Sequence, residues 1–328
     1  MMISSSACKK WFMGGLLALG LYFFLPIFGL FLGQSILPAQ GWPKPTENPA
    51  IFQRQLRAKI PSQLTASFLQ VVTPDGAILD TLQLSNPQSP PQSYLIFFCG
   101  NNMAYKVRLP EFQKIIETIA PAIIAFDYRN VHYSQGRVYS KQELLNDGIA
   151  QVQRLLNAGV AAENITLHGL SLGGGLASLV AAHFHSQSPA QKVYLVADRT
   201  FPSLTDAVLG KVLPELGYSK ARAPLRALGR AILKPFIQAI LLMTNWEINC
   251  LEAYNRIPAQ YKALITAKND MIIDYQVASL EHGAINGGKV FHINDSYKGP
   301  SLHAHPLYGL KDEHGRDMLD NLITFMQH

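Results

Sequence analysis

The five residues Gly169-Leu170-Ser171-Leu172-Gly173 set one hydroxyl between two glycines, a spacing suited to nucleophilic attack on a carbonyl. A turn sharp enough to present Ser171 strains its backbone and leaves no room for side chains on either side, a demand that glycine meets. Such a turn also puts the N–H of Leu172 at a helix N-terminus, where unpaired donors and the helix dipole favour a developing oxyanion. A serine working this way needs a base to take its proton and an acid to hold that base in one tautomer. Histidine is the natural base near neutral pH. Of the ten histidines, His303 and His305 fall between the last apolar strand and the last helical pattern. His292 lies within that strand, His314 and His328 in or after the helix, and His168, His183 and His185 beside the elbow helix, so position selects the pair. For the acid, Asp270 ends an apolar run 33 residues before His303, and Asp198 ends another; Asp274 lies further into its loop. Asp127 reads as a bracing carboxylate paired with Arg129.

These residues need a frame. Tyr94 to Phe98, Ile123 to Phe126, Ile165 to Leu167, Val193 to Val196, Ala263 to Thr266 and Val290 to Ile293 are short apolar runs. Such runs suit parallel strands covered on both faces. Between them Lys106 to Thr118, Lys141 to Asn157, Leu172 to His185 and Asp312 to Met326 carry helical spacing. The alternation predicts a βαβ series, entered by a hairpin at Leu69 to Leu82 around Thr73-Pro74-Asp75-Gly76. Ligands of such sheets bind at the carboxyl ends of the strands, where Asp127, Ser171, Asp198, Asp270 and the His303–His305 pair all fall.

Length and composition allow one large domain. Of 328 residues 15 % are charged and the net charge is +6, with no nucleic-acid-binding motif behind it. The 22 residues Trp11 to Leu32 carry no charge and follow Lys9-Lys10, which predicts a transmembrane helix with a cytosolic N-terminus. A cleaved signal peptide fits less well, because its apolar core is shorter and Ile36-Leu37-Pro38-Ala39 is a poor cleavage site. The expected organisation is a basic flank at 1–10, an anchor at 11–32, a Pro-rich linker at 33–49 and one catalytic domain at 50–328. Cys8, Cys99 and Cys250 are too few and too scattered for a disulfide framework or a metal site, and Cys99 and Cys250 read as core thiols.

From about Gln70 to Phe325 the chain resembles the α/β-hydrolase fold serine hydrolases, and in detail the membrane-anchored group of α/β-hydrolase domain-containing proteins. The resemblance rests on Phe98-Cys99-Gly100-Asn101, on Asp127-Tyr128-Arg129 with Ser134-Gln135-Gly136, and on His168 to Gly174. Arg199 to Leu204 and Ala267 to Asp270 add to it. It implies Ser171 as nucleophile, Asp270 as triad acid, and the N–H groups of Asn101 and Leu172 as oxyanion donors. Family loops place the catalytic histidine soon after a Gly or Pro turn, here Gly299-Pro300, which favours His303; His305 and Asp198 stay as alternatives. Cys99 stands where the group commonly has histidine, but a backbone donor at Asn101 does not depend on that side chain.

An insertion at 211–249 holds six basic and two acidic residues. Arg222, Arg226, Arg230 and Lys234 recur every four residues with Leu225, Leu228 and Ile232 on another face, then Pro235 interrupts and Phe236 to Met243 is nearly all apolar. This predicts a helical lid, amphipathic and basic, able to rest on an anionic membrane. The expected function is a serine hydrolase cleaving a carboxylic ester or thioester, with a lipid or acylated small-molecule substrate, through an acyl-serine intermediate. No metal or organic cofactor is called for: His303-Ala304-His305 has no third ligand cluster beside it. The rivals are a peptidase on the same triad and a catalytically silent, membrane-tethered binding protein.

Overall fold

The computed structural model describes residues 47–327 except 120, 189–190, 213–222, 274, 286, 295–296 and 298–301, together with Phe24, Ile27 and Phe31. The basic flank, the anchor apart from those three helical, exposed residues, and nearly all of the linker lie outside the described residues. Among the described residues no helix is long and apolar enough to cross a membrane.

The apolar runs form one eight-stranded sheet in the order β1-β2-β4-β3-β5-β6-β7-β8. The hairpin strands β1 (Thr65–Val72) and β2 (Ile78–Ser85) pair antiparallel, and β2 joins β4 (Ala122–Phe126) antiparallel. From there β3 (Tyr94–Phe98), β5 (Ile165–Leu170), β6 (Tyr194–Asp198), β7 (Lys262–Ala267) and β8 (Lys289–Ile293) run parallel. Every residue of β4, β5 and β7 is buried, as apolar strands covered on both faces require. β8 departs from that expectation, with Lys289 and Val290 exposed, because as an edge strand it has a neighbour on one side only.

Helices flank the sheet. α1 (Pro49–Arg57) precedes it, with Phe52 and Leu56 buried. α2 (Leu109–Ile119) packs with the last helix, and α3 (Lys141–Asn157) and α4 (Leu172–Gln187) pack together. α5 (Leu204–Val212) leads into the insertion and packs with α6 (Ala223–Met243) within it, α7 (Cys250–Arg256) returns onto α4, a short α8 (Tyr275–Ala278) follows β7, and α9 (Met318–Met326) ends the chain. Two predicted helices start later than their spacing suggested. Tyr105 to Arg108 make a 3-10 turn before α2. At the other end Asp312 accepts the N–H groups of His314 and Arg316, forming a turn that delays α9 until its cap at Asp317.

The insertion corrects two expectations. Pro235 does not interrupt α6, which runs through it for 21 residues. An internal proline forfeits one backbone hydrogen bond and crowds the preceding turn, a cost of about 3 kcal/mol that packing can offset. The basic face is also turned the other way. Arg230 and Lys234 reach inward to the buried Asp206 at 2.7 and 2.9 Å, while Leu228, Ile232 and Phe236 point to solvent. Side chains of Arg222, Leu225 and Arg226 lie outside the described residues.

Candidate active site

Ser171 joins β5 to α4 with φ 54° and ψ −119°, the strained backbone that the two glycines allow. A Cβ on Gly169 would lie 2.2 Å from the Gly173 carbonyl oxygen, and one on Gly173 would lie 2.1 Å from that of Phe98. No side chain fits at either position. The turn is held from β6: Ser171 N–H donates to the Asp198 carbonyl at 2.9 Å, and Thr200 Oγ1 donates to the Ser171 carbonyl at 2.7 Å. Leu172 is the first residue of α4, so its N–H has no acceptor within the helix.

Thirty-three residues apart in the chain, Asp270 and His303 meet, with Oδ2 2.7 Å from Nδ1. The other oxygen, Oδ1, accepts the N–H groups of Ile272 and Ile273 at 2.8 and 3.0 Å, which fixes the carboxylate and leaves Oδ2 for the ring. Asp270 is buried and its loop follows β7, as its place at a strand end predicted. His305 turns elsewhere: its Nδ1 lies 2.7 Å from the Pro306 carbonyl and its ring stacks edge-on against Tyr297.

Ser171, Leu172, Asn101, His303 and Ala304 line one cavity of about 560 Å³. Its remaining wall is chiefly apolar: Met103, Phe201, Leu204, Ala207, Val208, Ile272 and Ile273. The loop carrying Asn101 comes close because Gly100 has no side chain; a Cβ there would lie 3.2 Å from the Leu170 carbonyl oxygen and 3.5 Å from Ser171 Cβ. The cavity therefore gathers a strained hydroxyl, a histidine backed by a carboxylate, and an unpaired helix N-terminus beside an apolar wall.

The alternative acid is otherwise engaged. Asp198 is buried, with Arg199 donating to both its oxygens at 2.7 and 2.9 Å and His168 Nε2 at 3.3 Å. Burial alone would push its carboxyl up, but Arg199 and His168 outweigh it and hold it well below the usual carboxylate range. Asp274 lies outside the described residues.

Asp127 corrects an expectation too, for it does not pair with Arg129. That guanidinium bridges Asp147 and Asp75, while Asp127 Oδ1 accepts the Tyr105 N–H at 2.9 Å at the end of the Asn101 loop. Burial pushes its carboxyl well above the usual range. Burial also raises Asp80 to about 6 against the Tyr105 hydroxyl that bonds it, and lowers His132 to about 4, with Lys106 adding to the effect. Asp80, Asp127 and His132 offer ligand atoms within 4.8 Å of one another, the spacing a metal would use. Lys106 Nζ stands 3.2 Å from His132 Nε2, so an ammonium already supplies positive charge there. Cys99 and Cys250 are core thiols as expected; burial raises Cys99 well above its ordinary value, with Asp127 adding to it, which leaves an unreactive thiol.

Residue spacing assigns no role to Thr200 or to the apolar cavity wall, although Thr200, Phe201 and Leu204 lie in the 199–204 stretch that carries part of the resemblance, and Thr200 stands two residues past a strand end.

Compared by sequence, the chain matches no protein-family model and no curated protein. Compared by structure, it resembles an α/β-hydrolase of Vibrio vulnificus at 18% identity and a TM-score of 0.56, over 82% of this chain and 86% of that one. An esterase of Pyrococcus furiosus superposes with a TM-score of 0.54 at 16% identity, covering 87% of this chain and 95% of its own. A carboxyl esterase of the fungus Tuber melanosporum gives 0.52 at 15% identity, over 81% and 84% of the two chains. The fold is the α/β-hydrolase fold.

Proposed function

We propose that this protein is a serine hydrolase acting on a carboxylic ester or thioester, with a lipid or acylated small molecule as substrate. The observation that carries the reading is the shared cavity, in which the strained Ser171 faces the same space as His303, whose Nδ1 is held by Asp270. Proteins named esterases share the fold, which supports the ester class.

In this reading His303 takes the Ser171 proton as Oγ attacks the substrate carbonyl, and Asp270 holds the ring in the tautomer that leaves Nε2 free to accept it. Negative charge develops on the carbonyl oxygen, and the N–H groups of Leu172 and Asn101 receive it. The tetrahedral species collapses, His303 returns the proton to the departing alcohol or thiol, and the acyl group stays on Ser171. Water, deprotonated by His303, then clears the acyl-enzyme. The mechanism needs no metal and no organic cofactor. The apolar wall suits an acyl chain, and about 560 Å³ is within the usual range for a small-molecule site. The uncharged span at 11–32 supports a membrane-anchored protein with a cytosolic N-terminus, like the group it resembles, so that substrate arrives from the bilayer.

Hydrolysis of p-nitrophenyl esters of graded chain length by the full chain, with fluorophosphonate labelling in parallel, tests the reading. Turnover and label are expected for the native chain and neither for Ser171→Ala. A folded native chain that neither turns over nor labels overturns it and leaves a tethered binding protein. Cleavage of peptides in preference to esters moves the reading to a peptidase.

A further inference from the structure

The geometry points to Arg199 as a positioning residue that sets His303 against Ser171, an inference that rests on the hydrolase reading above. Arg199 follows β6 with φ 45° and is 2% exposed. Its N–H donates to the Ile265 carbonyl of β7 at 2.7 Å, so the backbone is tied to the strand that leads to Asp270. Nε and Nη2 clamp Asp198 at both oxygens. The remaining nitrogen, Nη1, donates to two carbonyls, those of Leu302 and, at 2.9 Å, His305. These two carbonyls flank His303. The ring that faces Asp270 thus stands on a backbone segment gripped from below by one guanidinium.

The residues on either side of Arg199 hold the nucleophile. The Asp198 carbonyl accepts the Ser171 N–H, and the Thr200 hydroxyl donates to the Ser171 carbonyl. Asp198-Arg199-Thr200 therefore binds both backbone groups of Ser171 and both carbonyls around His303, so that nucleophile and base share one support. Arginine suits this work, because its planar fork makes two bonds to a carboxylate and still carries a free donor edge, which a lysine ammonium does not reproduce. Asp198 keeps the guanidinium charge compensated in a buried place. Glu111 steadies the far end of the same loop by accepting the Leu307 N–H at 2.8 Å.

Arg199→Lys keeps the charge beside Asp198 and gives up the shared grip on Leu302 and His305. The expected result is a folded protein whose kcat on a p-nitrophenyl ester falls about 100-fold with KM unchanged, as a displaced catalytic group would give. A sharp low-field proton resonance of His303 Nδ1–H is expected in the native chain, from its 2.7 Å contact with Asp270, and it should broaden or vanish in Arg199→Lys. The double variant Asp198→Asn with Arg199→Met removes the buried pair together, so no charge is left alone, and should show the same kinetic loss. Arg129→Lys, which alters a buried ion pair away from the cavity, should lower Tm without the kinetic or spectral change. Native kcat and a sharp His303 proton in folded Arg199→Lys overturn the assignment. So does a loss of kcat in Arg199→Lys no greater than in Arg129→Lys. If the native chain proves inactive, the hydrolase reading fails, and the His303 resonance still decides the clamp: broadened in Arg199→Lys it stands, sharp it falls.

Discussion

The elbow and the helix α6 are both written in small and apolar residues, yet they use them in opposite ways. Around Ser171, Gly169 and Gly173 stand against neighbouring backbone with no space for a methyl, and Leu170, Leu172 and Leu176 are buried. On α6, Leu228, Ile232 and Phe236 recur every four residues and are 57, 62 and 65% exposed, while Arg230 and Lys234 face inward. At the elbow, backbone contact sets each residue and leaves a single arrangement. On α6 one buried carboxylate, Asp206, decides which side of an amphipathic helix faces the domain. A pattern of apolar residues therefore marks a face without saying what that face meets, unless packed backbone or a buried charge closes the alternatives.

Substitutions at the Ser171 cavity should have the largest effects. His303→Ala should lower kcat by about 10³-fold or more, the scale of losing a triad member, while His305→Ala, whose ring bonds the Pro306 carbonyl, should stay within about threefold. Steady-state kinetics on a p-nitrophenyl ester checks the pair, and equal losses would remove the distinction drawn from the Asp270 contact. Next in size, Gly173→Ala forces a methyl onto the Phe98 carbonyl and should cost about 4 kcal/mol or prevent folding, measured by urea unfolding. A mild effect there would mean that the elbow is less tightly specified than its contacts imply.

A smaller effect lies in the carboxylates beneath the Asn101 loop. Asp80 is raised by burial to about 6, so between its ordinary value near 3.8 and 6 the native state holds a proton that the unfolded chain has lost. Stability from the neutral group is complete below that window and falls away as pH rises through 6. Asp80→Asn should therefore gain up to about 3 kcal/mol over the native chain at pH 8 and nothing near pH 4, by urea unfolding at both. Smallest of all, Phe236→Ser on the outward face of α6 should change stability by less than about 0.5 kcal/mol. A loss of 2 kcal/mol or more would show that this face is packed and end the contrast with the elbow.

Much of this was legible in the residues themselves. Short apolar runs separated by helical spacing specify a parallel sheet, because strands covered on both faces cannot alternate. Two glycines around Ser171 announce a turn that other residues sterically forbid. Asp270 and the His303–His305 pair were legible by chain order, since strand ends in such a sheet gather on one edge. What lay beyond the sequence depends on distance across the fold. Only the tertiary structure turned the Asp270 carboxylate to His303 and His305 away from it, wrapped Asp198 in Arg199, and parted Asp127 from Arg129. Local spacing records which residues share a strand or a helix face; hydrogen bonds between carbonyls and side chains a hundred residues apart are made only once the sheet has brought them together.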